Sequence, residues 1–182
     1  AIRWFLARSS RDCLGVVLAV PFGVAMFAQH TLVANRWEAE FDFRIGDNVQ
    51  GGADGLVFCF YKNTAAYGIP ELGGAIGFTA ASSNRVAGYG IEVDTWDDTP
   101  NIPPFFVDDP SASHIALVQD NCGNHLTWVN RSGLEDGQWH HVRVAYNAGS
   151  VGVEYDGTLV LSASVASPDQ RYSGVGFTAA TG

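Results

Sequence analysis

Polar and apolar residues alternate along this chain in short, regular runs. Trp37 to Ile45 (WEAEFDFRI) alternates almost residue by residue, the period of a strand with one face buried. Leu56 to Tyr61 (LVFCFY) is apolar throughout, which predicts a strand covered on both faces. Further β-branched and aromatic runs predict strands at Gly74 to Thr79, Tyr89 to Thr95, Ile115 to Gln119, Leu126 to Asn130, Trp139 to Tyr146, Val151 to Tyr155, Thr158 to Ser164 and Gly174 to Ala179. Asn147-Ala148-Gly149 predicts a turn between two of them, and Asp156-Gly157 is a strong hairpin signal. Strands are also expected from about Gly15 onward, with Gly23 to Phe27 as one. No stretch carries the period of an amphipathic helix of useful length, and there is no repeat, linker or low-complexity segment. The pattern predicts an all-β domain, a sandwich or a jelly roll.

Composition sharpens this picture. A chain of 182 residues is one domain long, and 47% hydrophobic against 16% charged residues marks a folded, core-rich chain. The formal charge of −9 argues against a nucleic-acid surface, which needs a basic patch. Cys13, Cys59 and Cys122 are too few for a disulfide scaffold and wrongly spaced for a cysteine zinc site. One pair plus a thiol, or no pair, is open, and Cys59 reads as a small buried hydrophobe. Arg3, Arg8 and Arg11 precede the apolar run Cys13 to Ala28, in the manner of a signal peptide, but Pro21 and Gly23 interrupt the run and it is short for a spanning helix. Residues 1–15 are therefore either a signal or anchor or an extra strand, and 16–182 the domain.

The chemistry concentrates between Ile91 and Ile115, IEVDTWDDTPNIPPFFVDDPSASHI. Glu92 and Asp94 stand two apart on a predicted strand, so both carboxylates face one side. Asp97, Asp98, Asp108 and Asp109 follow in a loop, and His114 precedes Ile115. Like charges side by side on a sheet are costly unless something positive lies between them. Oxygen ligands suit Ca²⁺, and a histidine beside carboxylates suits Mn²⁺ or another divalent transition ion. The expectation is a site for two cations on the rim of a sheet.

Ordered stretches of the chain resemble the legume-type (L-type) lectins of the concanavalin-like sandwich group: Gly23 to Phe27, Phe41 to Ile45, Gly52-Ala53-Asp54-Gly55-Leu56-Val57-Phe58, Gly73-Gly74, Ile91 to Trp96, Asp109-Pro110 with His114-Ile115, Gly137 to His140, and Val175 to Gly182. The resemblance runs from about residue 16 to the end and implies a concanavalin-like jelly-roll β-sandwich of two antiparallel sheets. By this resemblance Glu92, Asp94, Asp109 and His114 would hold the transition ion. Asp94 and Asp109 would bridge to Ca²⁺, which would also take the Trp96 carbonyl and the Asp98 side chain. Asp54 stands at the family's sugar-binding aspartate, after a cis peptide from Ala53. Gly73 or Gly74 would offer a backbone N–H to the sugar, and Trp96 would stack on a pyranose. The partner would be a glycan or glycoprotein, and the setting secreted, extracellular or cell-surface.

The chain also departs from that pattern. Asp98 stands where the family usually has Asn, whose amide donates to the sugar; Asp ligates but cannot donate. The loop Thr99 to Val107 is longer, with Asn101 as a substitute for the amide or Phe105 and Phe106 as a contact surface. The family continues past the position of Gly182 into a specificity loop and a last strand, so either another chain completes the sheet or the sequence is a fragment. The alternative function is an adhesive extracellular assembly protein that keeps the fold and self-associates through a sheet edge or flat face. A retaining β-glucanase ranks lower, because Trp96 stands where Glu-x-Asp-x-Glu needs its third acid; no enzyme activity is expected. Each site residue has a plainer reading: solvated edge charge for the acids and His114, a turn residue for Asp54, a core aromatic for Trp96. Trp4, Trp37, Trp128 and Trp139 are expected in the core. His140 and His141 are expected on opposite faces with no ligand role, and His30 and His125 carry no partner pattern. Asn130-Arg131-Ser132 is a glycosylation sequon, meaningful only in a eukaryotic secretory protein.

Overall fold

A computed structural model describes residues 2–5, 19–20, 24–29, 35–46, 54–66, 73–79, 86–98, 109–166, 168–169, 171–172 and 174–180. The strands are β1 (Ile2–Phe5), β2 (Ala19–Val20), β3 (Val24–Gln29), β4 (Arg36–Arg44), β5 (Gly55–Lys62), β6 (Tyr89–Asp94), β7 (His114–Gln119), β8 (Asn121–Asn130), β9 (His140–Asn147), β10 (Ser150–Tyr155), β11 (Thr158–Ser164) and β12 (Gly174–Ala180). They form two six-stranded sheets, in the orders β11-β10-β9-β4-β1-β2 and β3-β12-β5-β6-β7-β8, every pairing antiparallel. This is the expected two-sheet sandwich. Among the described residues no helix is long and apolar enough to cross a membrane.

Alternation builds the core. Phe41 and Phe43 of β4, with Val142, Val144 and Tyr146 of β9, face Leu56, Phe58 and Phe60 of β5 and Ile91 and Val93 of β6. The hairpins close where the sequence signals them. Ala148-Gly149 and Asp156-Gly157 all take positive φ, the geometry that matches a two-residue turn to the twist of its strands.

The second sheet is buried on its other face as well. Val57, Cys59, Ala116, Val118 and Cys122 form a separate cluster there with Ile76 and Phe78. This double cover explains why every residue of β5 is buried, as its unbroken apolar run predicts. The covering segment is the one read as a strand at Gly74 to Thr79, and that reading is corrected. Gly73–Ala75 is a 3₁₀ turn, and positive φ at Gly73, Ile76 and Gly77 curls the rest into turns. The segment's apolar side chains lie on the sheet instead of pairing within it. Gly90 makes room for this, since a Cβ there would collide with the Val57 side chain.

The tryptophans divide. Trp37 is half-buried, stacks on Tyr146 with ring centroids 5.6 Å apart and donates its indole N–H to the Tyr61 hydroxyl at 3.2 Å. Trp128 and Trp139 are 51% and 48% exposed, so their expected core role is wrong. Trp128 lies on the outward side of β8, the last strand of its sheet among the described residues. Cys59 and Cys122 are free, buried thiols. Cys13, His30, Ala53 with its expected cis bond, Asn101, Phe105, Phe106 and Asp108 lie outside the described residues, as does the side chain of Trp4.

Candidate metal centre

Register places the acids. β6 runs between β5 and β7, with Glu92 opposite Ala116 and Asp94 opposite His114. Ile91 and Val93 point into the sandwich, so Glu92 and Asp94 point to the outer face. They are not edge charges, because Glu92, Asp94 and His114 are each 0% exposed. His114 Nε2 lies 3.4 Å from Glu92 Oε2, and its Nδ1 lies 2.9 Å from the Ser111 carbonyl. His125 of β8 brings its Nε2 to 3.0 Å from the same Glu92 oxygen, which corrects the expectation that His125 has no partner.

The loop after β6 folds back on these groups. The Trp96 N–H donates to Asp94 Oδ1 at 2.7 Å, and the Asp98 N–H donates to Asp109 Oδ2 at 2.8 Å. Thr95 ties Asp54 alongside, its N–H and hydroxyl donating to the Asp54 carbonyl at 2.9 and 3.0 Å. The Asp54 N–H in turn donates to the Ala180 carbonyl at 3.0 Å. The turn beginning at Gly73 packs on Asp98 so closely that a Cβ at Gly74 would land on the Asp98 carboxylate. Asp54 is 3% exposed, too buried for an ordinary turn residue, while Trp96 is 52% exposed and so is not a core aromatic.

The electrostatics are unresolved from within the protein. Glu92 Oε1, Asp94 Oδ2, Asp98 Oδ2, Asp109 Oδ1 and Asp54 Oδ2 are buried with no hydrogen-bond partner. Burial, then the charges of Glu92 and Asp109, push the Asp94 carboxyl far above the usual carboxylate range. Burial also lifts Asp109 to about 6, and burial with the neighbouring Asp98 charge lifts Asp54 to about 6. At Glu92 burial works upward too, but the bonds from His114 and His125 overcome it and hold the carboxyl low. Burial depresses His114, and its contact with Glu92 more than restores it, so its pKa is raised.

Two sets of ligand atoms converge to within 4.8 Å of one another: Glu92, His114 and His125, and Asp94, Asp109 and His114. Buried carboxylate oxygens without partners cost several kcal/mol each unless a charge meets them. The donor set fits divalent cations: oxygens for a hard ion and imidazole with carboxylate for a transition ion.

The chain matches solved lectin structures over nearly its whole length. The Emp46p carbohydrate recognition domain aligns with a TM-score of 0.64 at 11% identity, over 98% of this chain and 80% of that one. The VIP36 exoplasmic/lumenal domain, in a form bound to Ca²⁺ and Man3GlcNAc, aligns at 0.59 and 14%, over 98% and 77%. The chain therefore shares its fold with these carbohydrate-recognition and exoplasmic/lumenal domains. Sheep galectin-11, in complex with glycerol, aligns at 0.51 and 7%, over 90% and 97%. No family profile matches the chain, and no curated protein matches it.

Within this fold the expected residues gather in one place on the outer face of the sheet. Glu92, Asp94, Asp109 and His114 form the centre; Asp98 joins through Asp109 and Gly74, and Asp54 joins through Thr95 and the field of Asp98. Sequence reading missed His125 for a definable reason. The β7–β8 ladder pairs Leu117 with Thr127 but Val118 with His125, skipping Leu126. That bulge reverses the in–out parity of the strand and turns His125 to the acidic face.

Proposed function

We propose that this chain is a non-catalytic, cation-dependent glycan-binding domain that works in a secreted, lumenal or cell-surface setting. One observation carries the reading: partnerless buried oxygens on Glu92, Asp94 and Asp109 converge with His114 on the outer face of a lectin-fold sheet. Glu92, Asp94, Asp109 and His114 would hold a transition ion such as Mn²⁺. Asp94, Asp109, Asp98 and the Trp96 carbonyl would hold Ca²⁺. Bound cations supply positive charge that lets these carboxylates ionise and fixes the loop that carries Trp96. Asp54 then accepts charge-assisted hydrogen bonds from sugar hydroxyls, and the Gly73 or Gly74 N–H donates one. The exposed Trp96 ring covers the C–H face of a pyranose. Recognition through a few hydroxyls and one ring is weak, so single-sugar affinity is expected near ~1 mM, with strength gained from multivalency. Asp98 cannot donate as an amide would, which narrows the hydroxyl patterns accepted.

The VIP36 neighbour is a lumenal or exoplasmic domain bound to Ca²⁺ and a mannose glycan, which supports the glycan and the non-cytosolic setting. A hydrolase is disfavoured because Glu92 is engaged by two histidines and no third acid follows Asp94 on the strand. Adhesive assembly is the second reading, favoured by the outward Trp128 and Leu126 on β8, the outer strand of its sheet among the described residues.

The test is elemental analysis of the purified chain, then a glycan array with and without chelator. Bound cations with chelator-sensitive glycan binding are expected. Cations without glycan binding would favour assembly, and reducing-sugar release from β-glucan would overturn the non-catalytic reading.

A further inference from the structure

We infer that His125 converts the transition-ion position into a two-histidine site, His114–His125–Glu92, that takes Zn²⁺ in preference to Mn²⁺. This rests on the cation reading of the same rim but not on sugar binding, and it adds a ligand that the expected set lacks. Four observations carry it.

The first is the tautomer of His114. Its Nδ1 sits 2.9 Å from the Ser111 carbonyl, which can only accept, so Nδ1 holds the proton of the neutral ring. Nε2 is then a lone pair, and it faces Glu92 Oε2 at 3.4 Å. In the metal-free fold a proton on Nε2 can fill that gap; a cation that displaces it would find Nε2 and Oε2 already aimed at one point. A backbone carbonyl that orients a ring for metal binding is the usual outer support of a histidine ligand.

The second is His125, whose Nε2 lies 3.0 Å from that same oxygen. The third is spacing: ligands at zinc bond lengths of ~2.0–2.1 Å on a tetrahedral ion stand about 3.3 Å apart. The observed 3.0 and 3.4 Å bracket that edge, and the three donor atoms all lie within 4.8 Å of one another. The fourth is Glu92 Oε1, on a residue 0% exposed and without a hydrogen bond of normal geometry, with the Cys122 thiol beside this carboxyl.

Ligand type then selects the ion. Carboxylate and water suit Mn²⁺ and Ca²⁺, whereas a second imidazole favours ions later in the divalent series, Zn²⁺ among them. Asp94 and Asp109 remain for the hard cation beside it.

The test strips the purified full chain with chelator and titrates Zn²⁺ and Mn²⁺ separately by calorimetry. Zn²⁺ is expected to bind more tightly than Mn²⁺ by well over roughly tenfold. His125→Gln is expected to weaken Zn²⁺ by about 10–100-fold, the scale seen even for groups that only support a metal's ligands, with little change in Mn²⁺. X-ray absorption of the Zn²⁺-loaded wild type should show two imidazoles, a readout that stands even if the variant does not fold. Equal or tighter Mn²⁺ binding, an unchanged Zn²⁺ affinity in His125→Gln, or a single imidazole in the spectrum would overturn the inference while leaving the cation reading intact. Failure of the stripped chain to take up any divalent ion would overturn both.

Discussion

The two faces of β6 are equally dry and chemically opposite. Ile91 and Val93 point into the sandwich, and Glu92 and Asp94 point out of it; all four are 0% exposed. On the inner face every group is met by protein, because aliphatic and aromatic side chains need only contact. On the outer face oxygens of Glu92, Asp94 and Asp109 are met by nothing in the chain. The inner face is therefore complete as folded, while on the outer face the proposed cations would supply the partner that these oxygens lack. Burial alone does not mark a structural residue; the satisfaction of what is buried does.

That contrast can be broken most severely from the inside. Phe58→Ala, in the inner core, is expected to cost about 3–5 kcal/mol, measured by urea unfolding. The loss should be the same with and without chelator, since the inner face owes nothing to cations. Asp94→Asn should behave in the opposite way. With its carboxyl held far above the usual range, Asp94 must take up a proton when the metal-free chain folds, a cost Asn does not carry, so the metal-free chain is expected to gain about 1–3 kcal/mol. The substitution also abolishes cation uptake, and a chain made more stable yet unable to respond to added Ca²⁺ is the expected signature.

The pH dependence has a definite sign. Asp54 and Asp109 are lifted from 3.8 to about 6 in the metal-free fold, so that fold binds more protons than the unfolded chain between those values. Their contribution is therefore fully present below the unfolded pKa and is lost as pH rises through about 6. Added cations need the ionised carboxylates, so their affinity and their stabilising effect should grow over the same interval. Thermal melts with chelator and with saturating Ca²⁺ across this range should diverge as pH rises. Smaller still, Trp96→Ala should leave stability within about 0.5 kcal/mol, because the ring is exposed, and weaken glycan binding by about 1–2 kcal/mol.

Much of this was legible in the sequence. The alternation from Trp37 to Ile45 and the unbroken run in β5 name their strands and their burial, because each reports how many faces are covered. The spacing of Glu92 and Asp94 gives their common face directly. Asp109 and His114 come from the likeness to a known family, since the residues between them and β6 carry no strand or helix period that would place them. His125 was hidden because a bulge changes strand parity and leaves no mark in a pattern of alternating residues. Gly74 to Thr79 was misassigned because an apolar run that caps a sheet face has the composition of a strand within it; only the backbone at Gly73, Ile76 and Gly77 tells them apart. Trp128 and Trp139 were misplaced because aromatic residues favour strands without specifying which face.

Anomalous diffraction from crystals grown at saturating Ca²⁺ and Zn²⁺ tests the central claim most directly. Two peaks are expected on the outer face, one joined to Glu92, His114 and His125 and one to Asp94, Asp109 and Asp98. Well-ordered side chains with no peak among them would contradict the claim that cations complete this face.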